Sequence, residues 1–219
     1  MKDIYVTTLC VSGLICLLSF RRSTLIEYKI ILLLILYSIL VEVTSIWFRS
    51  SFSIEENILP QYNLFLLVEF LFYGYFFQRI INNNKIKQII TIFLCVFPVV
   101  WYFLVFGVYS ITEWNSYVFI AGSSFMIFLG IVYYNQLFNS PELSLAWKDG
   151  LFWIVTGILL FYACGLPYMG MYSYLKKDHI SLAVKLKNLL QLSNIIMYSL
   201  FAYAFICQLK MINTRKSIL

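Results

Sequence analysis

Two neighbouring apolar stretches decide the fold of this chain: YKIILLLILYSILVEVTSIWF at residues 28–48 and LPQYNLFLLVEFLFYGYFFQRII at residues 59–81. About 20 mostly apolar residues are enough for a helix to cross the hydrocarbon core of a bilayer, and both stretches reach that length. Each stretch carries one carboxylate in its interior, Glu42 or Glu69. A charged side chain costs about 2.5–3.5 kcal/mol at the centre of a membrane helix, so we expect both carboxylates to be compensated by protein or used.

The composition places the whole chain in the membrane class. Hydrophobic residues make up 62% of the 219 residues and charged residues only 12%, whereas soluble domains are about 25% charged. The net charge of +6 comes from short basic clusters between apolar stretches rather than from one helical face. The sequence therefore predicts a lipid bilayer as partner and no nucleic acid.

Seven apolar stretches predict an all-α fold, a polytopic transmembrane bundle that forms a single domain over residues 1–219. The connections between the stretches are too short to hold a separate domain. Charge follows the first stretch instead of preceding it, so we expect a retained span rather than a signal peptide. The predicted spans lie at about 4–20, 28–48, 59–81, 86–106, 114–134, 151–172 and 188–209.

The basic residues also predict an orientation. With the N-terminus outside and the C-terminus inside, ten of the 16 lysines and arginines fall on the inner side and six on the outer side. Positive charge is concentrated on the cytoplasmic side of membrane proteins. We therefore expect the N-terminus outside and the C-terminus inside.

Polar side chains recur at helical spacing on three of the predicted spans. Since the second span rises outward and the third descends, Glu42 and Glu69 are expected at similar depths, and the seventh span reaches the same level. We therefore predict one polar cavity in the outer half of the bundle. The stripes consist of Ser38, Glu42 and Ser45 on the second span, of Tyr62, Glu69 and Tyr73 on the third, and of Gln191, Asn194 and Tyr198 on the seventh.

Two interpretations of these stripes stay open. One is a binding pocket for a ligand or cation, or a proton-linked switch, because two nearby carboxylates repel each other at low dielectric constant. The other is hydrogen bonding between helices, worth about 0.6 kcal/mol per pair on average. Asn194 and Gln191 suit the second interpretation. Glu42 and Glu69 favour the first, because a purely structural contact rarely needs an ionisable group.

Other functional motifs give no site. The five cysteines lie inside predicted spans without metal-ligand spacing, and His179 is the single histidine, so neither a metal nor a cofactor is expected. No G-x-S-x-G, H-E-x-x-H or glycine-rich phosphate loop occurs. We therefore expect no catalytic residues and no enzyme.

The sixth predicted span contains Pro167 close to Gly165. Proline removes one backbone hydrogen bond from a helix, so this pair predicts either a hinge or the end of the span at the membrane interface.

One further set of sequence features consists of Glu42, of Tyr62-Asn63-Leu64 with Glu69, of FWIVTGILLFY at 152–162 and of NIIMY at 194–198. Together these features resemble small seven-helix membrane proteins of Bacteroidota. Some similar bundles form the membrane input regions of histidine kinases. The resemblance implies a multi-pass protein of the bacterial inner membrane.

These observations predict a membrane sensory or regulatory module that binds a small ligand or senses the membrane. Only residues 210–219 follow the predicted seventh span, so we expect it to signal through a protein partner or as a homo-oligomer. Two alternatives remain open: a cation- or proton-conducting channel or transporter, and a structural subunit of a membrane assembly.

Overall fold

A computed structural model of the chain describes residues 2–20, 25–52, 58–108, 110–140, 147–171, 174–175 and 180–216. Seven helices of at least 19 residues lie within these ranges, so the predicted all-α class is confirmed. They are α1 (Lys2–Phe20), α2 (Ile26–Phe52), α3 (Leu59–Ile80), α4 (Asn84–Phe103, continued by a π-helix at Leu104–Val108), α5 (Ser116–Phe138), α6 (Gly150–Gly170) and α7 (Ile180–Lys216).

Five of these helices, α2, α4, α5, α6 and α7, are long and apolar enough to cross a membrane. The chain is therefore a multi-pass membrane protein. The other two helices differ from the prediction of seven equivalent spans. The apolar part of α1, Ile4–Phe20, is shorter than 18 residues, and α3 does not reach the same hydropathy.

Polar caps define where several helices begin. The side chain of Asn83 accepts hydrogen bonds from the backbone amides of Lys85 and Ile86 at the start of α4. Asn115 accepts one from Val118 at the start of α5, and Asp149 accepts one from Leu151 at the start of α6. These bonds satisfy amides that have no partner within the helix. The fifth helix consequently begins at Ser116, two residues after the predicted boundary.

The helices form a ring in which neighbours pack in the order α1, α2, α3, α5, α6, α7 and back to α1. The fourth helix lies outside this ring against α3, and Phe93 of α4 stacks on Phe125 of α5 at 4.1 Å between ring centroids. The centre of the bundle is aromatic. There Phe70 and Tyr73 of α3 meet Tyr162 of α6, at centroid distances of 5.4 and 5.9 Å.

The last helix is longer than predicted. Residues 180–187 were expected in a loop, but α7 already begins at Ile180 and runs for 37 residues. At 1.5 Å per residue it is about 55 Å long, which exceeds the hydrocarbon core of about 30 Å. The helix therefore extends beyond the apolar core, and the exposed Lys185 and Lys187 lie on it rather than in a loop. His179 and residue 172 lie outside the described residues.

The sixth helix continues through Pro167 and ends at Gly170. Two side chains at and just before the start of α5 hold the last turn of this helix. Trp114 Nε1 and Ser116 Oγ each donate a hydrogen bond to the carbonyl oxygen of Met169, both at 3.1 Å. Gly165 is buried, and a Cβ atom there would lie 3.0 Å from Leu190 Cδ1. The helix is thus unbroken at Pro167, and a hinge at this position stays a prediction.

Candidate functional site

The carboxylate of Glu42 accepts hydrogen bonds from two tyrosine hydroxyl groups. Tyr5 of α1 and Tyr62 of α3 both donate to Glu42 Oε1, each over 3.3 Å. Glu42 is 9% exposed, and both tyrosines are half-buried. Because Tyr5 lies in the first turn of α1 and Tyr62 in the first turn of α3, this part of the site lies close to the end of the bundle where α1 begins. We refer to it as the N-terminal end.

The second carboxylate, Glu69, lies deeper than Glu42, whereas the sequence predicts similar depths for the two. It is ten residues after Leu59, the first residue of α3, which corresponds to about 15 Å along the helix and to about half the hydrocarbon thickness. Its side chain is 4% exposed. Three tyrosines from different helices lie close enough to Glu69 to respond to its charge: Tyr73 on α3, Tyr162 on α6 and Tyr198 on α7.

Tyr198 connects the two carboxylates. It lies near both Glu69 and Glu42, and Ser38 of α2 is beside its hydroxyl group. The ring of Tyr5 lies 6.2 Å from that of Tyr198. The carboxylates therefore share a tyrosine neighbour, and no hydrogen bond joins them directly among the described side chains. The set Tyr5, Ser38, Glu42, Tyr62, Glu69, Tyr73, Tyr162 and Tyr198 is called the Glu–Tyr cluster below.

The stripe predicted on α2 is buried, as expected for a face that packs on protein. Ser38 and Ser45 are 3% and 0% exposed. Ser38 Oγ also donates to the carbonyl oxygen of Leu34 at 2.9 Å. Ser45, however, bonds to Gln61 of α3 rather than to the cluster, donating to Gln61 Oε1 at 3.3 Å. Gln61 in turn donates to the backbone carbonyl of Val41 and to the hydroxyl group of Thr44.

The stripe predicted on α7 is only partly brought together. Tyr198 is 4% exposed and belongs to the cluster. Asn194 and Gln191 are half-buried, and neither forms a hydrogen bond within the part of the chain that the structure describes. Their role in binding stays a prediction. On α3, all three predicted residues, Tyr62, Glu69 and Tyr73, belong to the cluster.

Two members of the cluster, Tyr5 and Tyr162, were missed by the sequence analysis. Tyrosine is common in the belts at both membrane interfaces, and Tyr5 lies where such a belt is expected. Tyr162 carried a signal that could have found it. It lies 12 residues from the start of α6 and eight from its end, which is too deep for an interface tyrosine.

An apolar layer separates the cluster from the other end of the bundle. Ser38 and Tyr28 are ten residues apart on α2, which corresponds to about 15 Å. Between them, Ile31 and Ile35 are fully buried. The layer is completed by the buried side chains Phe76 and Phe77 on α3, Ile154 and Ile158 on α6, and Phe201 and Phe205 on α7.

A second, smaller polar group lies beyond this layer, at the end where α2 and α6 begin. Tyr28 of α2 and Tyr133 of α5 both lie close to Asp149. Glu27 is near Tyr28 and pairs with Arg79 at 3.7 Å. We refer to Glu27, Tyr28, Tyr133 and Asp149 as the opposite polar group. Its members come from α2, α5 and the N-terminal cap of α6. Of these helices, only α2 and α6 also contribute to the Glu–Tyr cluster.

A groove of about 580 Å³ lies elsewhere, between α1 and α7. Its walls are mostly apolar and include Val11, Ile15 and Ile206. Hydroxyl groups come from Thr7, Thr8, Ser12, Ser199 and Tyr203. Those of Thr8 and Ser199 donate to backbone carbonyls of their own helices, over 2.8 Å each. Neither Glu42 nor Glu69 lines this groove, so it is separate from the predicted polar cavity.

Within the described ranges, no group of three or more His, Cys, Asp or Glu side chains is placed to hold a metal ion. The five cysteines are all free. No protein-family model, curated protein or solved structure matches the chain.

Proposed function

We propose that this protein is a sensory or regulatory module of the bacterial inner membrane. The Glu–Tyr cluster responds to a small ligand or to the state of the membrane, and the bundle passes the change to a protein partner. The observation that carries this proposal is the one-sided placement of the cluster. It extends from the N-terminal end to the middle of the bundle and stops at the apolar layer.

The apolar layer favours a sensor over a conductor. A permeating ion or proton needs polar groups or water along its whole path, because a bare charge is strongly disfavoured in apolar surroundings. A layer about 15 Å deep that is lined by fully buried apolar side chains such as Ile31, Ile35 and Phe201 is a large barrier to such a path. A site that only has to detect a ligand requires access from one side.

The cluster also has the connections that a sensor needs. It contains side chains from α1, α2, α3, α6 and α7. A change of charge or ligation at Glu42 or Glu69 would therefore alter contacts on five helices together. In the proposed orientation the N-terminal end faces outward, and the basic loops and C-terminal residues on the inner side are available to the partner.

One observation favours the channel or transporter as a second candidate. The opposite polar group continues on α2 and α6 beyond the apolar layer, so hydration of that layer would join two polar regions into a path across the membrane. In that case Glu69 would be the deepest acidic side chain of the path.

Reconstitution into liposomes distinguishes the two candidates. For a sensor we expect proton and K⁺ flux from the wild-type protein to equal that of protein-free liposomes. Flux that is present in the wild type and lost in Glu69→Gln would contradict the sensor and support conduction. Glu113→Gln is the matched control, because Glu113 is exposed in the α4–α5 connection.

The sensor itself is tested in cells that lack the endogenous gene and carry one variant each. We expect the double variant Glu42→Gln/Glu69→Gln to change the transcript profile relative to the wild type, and Glu113→Gln to leave it unchanged. Membrane levels of all variants are measured in parallel, so that loss of the protein is separated from loss of signalling. A double variant that is present at wild-type level with a wild-type profile under every growth condition would overturn the proposal.

A further inference from the structure

The surroundings of Glu69 are unusual for a buried carboxylate. No lysine, arginine or histidine among the described residues pairs with it. The one ion pair that the described residues form is that between Glu27 and Arg79. A buried anion without a counter-charge is costly and is normally paired or ligated. Glu69 is only 4% exposed, so solvent outside the bundle does not compensate its charge.

The hydroxyl group of Tyr162 faces the same place. Tyr162 is fully buried and lies beside Glu69, but no described residue gives its hydroxyl oxygen a partner with full hydrogen-bond geometry. Buried polar atoms in native proteins are nearly always satisfied, by protein, water or an ion. The hydrogen-bonding neighbour of Tyr162 is the carboxyl group of Glu69 itself. No described residue donates to the hydroxyl oxygen of Tyr162, so its lone pairs are available to a ligand beside that carboxyl group.

The oxygen atoms around this space define what it can hold. Glu69 supplies a carboxylate, and Tyr73, Tyr162 and Tyr198 supply phenol hydroxyls from three helices. The hydroxyl of Tyr73 has only the thioether of Met197 as its hydrogen-bond acceptor, at 3.8 Å, so its own lone pairs are available. Oxygen ligands suit hard cations. A single carboxylate balances one positive charge, whereas Ca²⁺ sites use several acidic ligands.

From this geometry we infer that Glu69, Tyr73, Tyr162 and Tyr198 bind an alkali-metal cation, Na⁺ or K⁺, in the middle of the bundle. The inference rests on the proposed function and names the ligand class of the same site. The ion neutralises Glu69 and draws three helices, α3, α6 and α7, towards one centre. Its presence or loss is then the event that the bundle reports.

Thermal unfolding of the purified protein in detergent tests the site without any assay of function. The protein is prepared in choline chloride, and NaCl or KCl replaces choline at constant ionic strength. A ligand that binds only the folded state raises Tm with its concentration. For a chain of this length we expect a saturable rise of about 5 °C or more for at least one alkali ion at a large excess over its Kd.

Substitutions then locate the ion. Glu69→Gln is expected to abolish the dependence of Tm on the ion, and Tyr162→Phe to raise the half-saturating concentration at least several-fold. Tyr28→Phe is the matched control. Like Tyr162, Tyr28 is buried with a hydroxyl that has no partner among the described residues, but it belongs to the opposite polar group. It should keep the wild-type ion dependence. If Glu69→Gln does not fold, the comparison of the two phenylalanine variants still decides.

Three results would overturn the inference. The first is equal Tm in choline, Na⁺ and K⁺. The second is stabilisation by lowering the pH with no effect of either metal ion, which would place a proton at Glu69 instead. The third is an ion dependence that Tyr162→Phe and Tyr28→Phe leave equally unchanged. None of these results alters the expected transcript change of the Glu42→Gln/Glu69→Gln variant, so the cation site and the proposed function fail separately.

Discussion

The helices α3 and α4 are neighbours of similar length, 22 and 20 residues, but they contain opposite kinds of sequence. The fourth helix and its π-helical extension are long and apolar enough to cross a membrane, whereas α3 is too polar to be counted among such helices. Nevertheless α3 buries nine residues, including Glu69 and Asn63, and α4 buries only three. In this bundle the less apolar helix is the more buried one.

The lipid that surrounds a membrane protein explains why the less apolar helix is the more buried one. Lipid tails are as apolar as leucine, so an apolar side chain gains little by leaving lipid for protein. A polar side chain gains much, because only protein can satisfy it inside the bilayer. The third helix therefore lies where α2, α5, α6 and α7 can supply partners for its polar groups, and α4 lies against lipid. We predict that matched substitutions on the buried and lipid-facing sides differ accordingly.

The largest difference is expected between two phenylalanines. Phe70 of α3 is fully buried and contacts the rings of Phe97, Phe119 and Tyr162. Phe70→Ala should lower the free energy of unfolding by about 3–5 kcal/mol, since it leaves a cavity in a close-packed centre. Phe103→Ala, on the 63% exposed residue of α4, should change it by less than about 0.5 kcal/mol. Thermal unfolding in nanodiscs compares the two variants. An equal fall in Tm for both would show that the burial of α3 is not what stabilises the bundle.

A smaller difference is expected between two glycines. A Cβ atom on Gly122 of α5 would overlap the ring of Phe70, whereas one on Gly107, in the π-helix after α4, has no atom within 4 Å. Gly122→Ala should cost about 1–3 kcal/mol through overpacking. Gly107→Ala should be neutral or slightly stabilising, because alanine reduces the flexibility of the unfolded chain.

The fraction of each glycine variant that elutes as a monodisperse peak after mild extraction provides the measurement. A Gly122→Ala protein as monodisperse as the wild type would mean that Phe70 moves aside freely, and that α3 and α5 are less closely packed than the structure shows.

The smallest difference is expected between two amides of α3. Asn63 is 1% exposed and donates to the carbonyl oxygens of Ile111 and Glu113 at 2.9 and 2.8 Å. Asn63→Ala should lower the free energy of unfolding by about 1 kcal/mol, the net value of a typical hydrogen bond. The loss is no larger because the two released carbonyl groups lie near the bundle surface, where water can bind them. Gln78→Ala, which removes an exposed bond to Thr91, should cost less than half as much. Chemical unfolding in mixed micelles would rank the pair, and the reverse order would contradict the proposed effect of burial.

Much of the fold could be predicted from the sequence. All seven helices are present, and the stripe of Ser38, Glu42 and Ser45 is buried as its spacing predicted. These properties depend on local periodicity and on the cost of a polar group in lipid, which any single helix expresses. The length of α7 was underestimated because residues 180–187 are too polar for a span, although they continue the same helix.

The candidate site was predictable only in part. That the two carboxylates face partners on α2, α3 and α7 followed from helical face. Their relative depth did not, because Glu69 lies deeper than Glu42 although the sequence predicts similar depths. Tyr5 and Tyr162 did not, because a tyrosine suits lipid interfaces and protein interiors equally. The difference between Tyr198, which joins the cluster, and Asn194, which forms no hydrogen bond to the described residues, depends on how α7 is rotated against α2 and α6. Periodicity along one helix carries no information on that rotation.

The sequence by itself determined that this is a helical membrane protein with two acidic groups that require partners, because hydropathy and charge act residue by residue. Only the tertiary structure decided that α3 is more deeply buried than α4, that Tyr198 is shared by Glu42 and Glu69, and that an apolar layer closes the cluster on one side. These features arise from packing between helices, where side chains far apart in sequence compete for the same space, and no single stretch of the chain specifies the outcome.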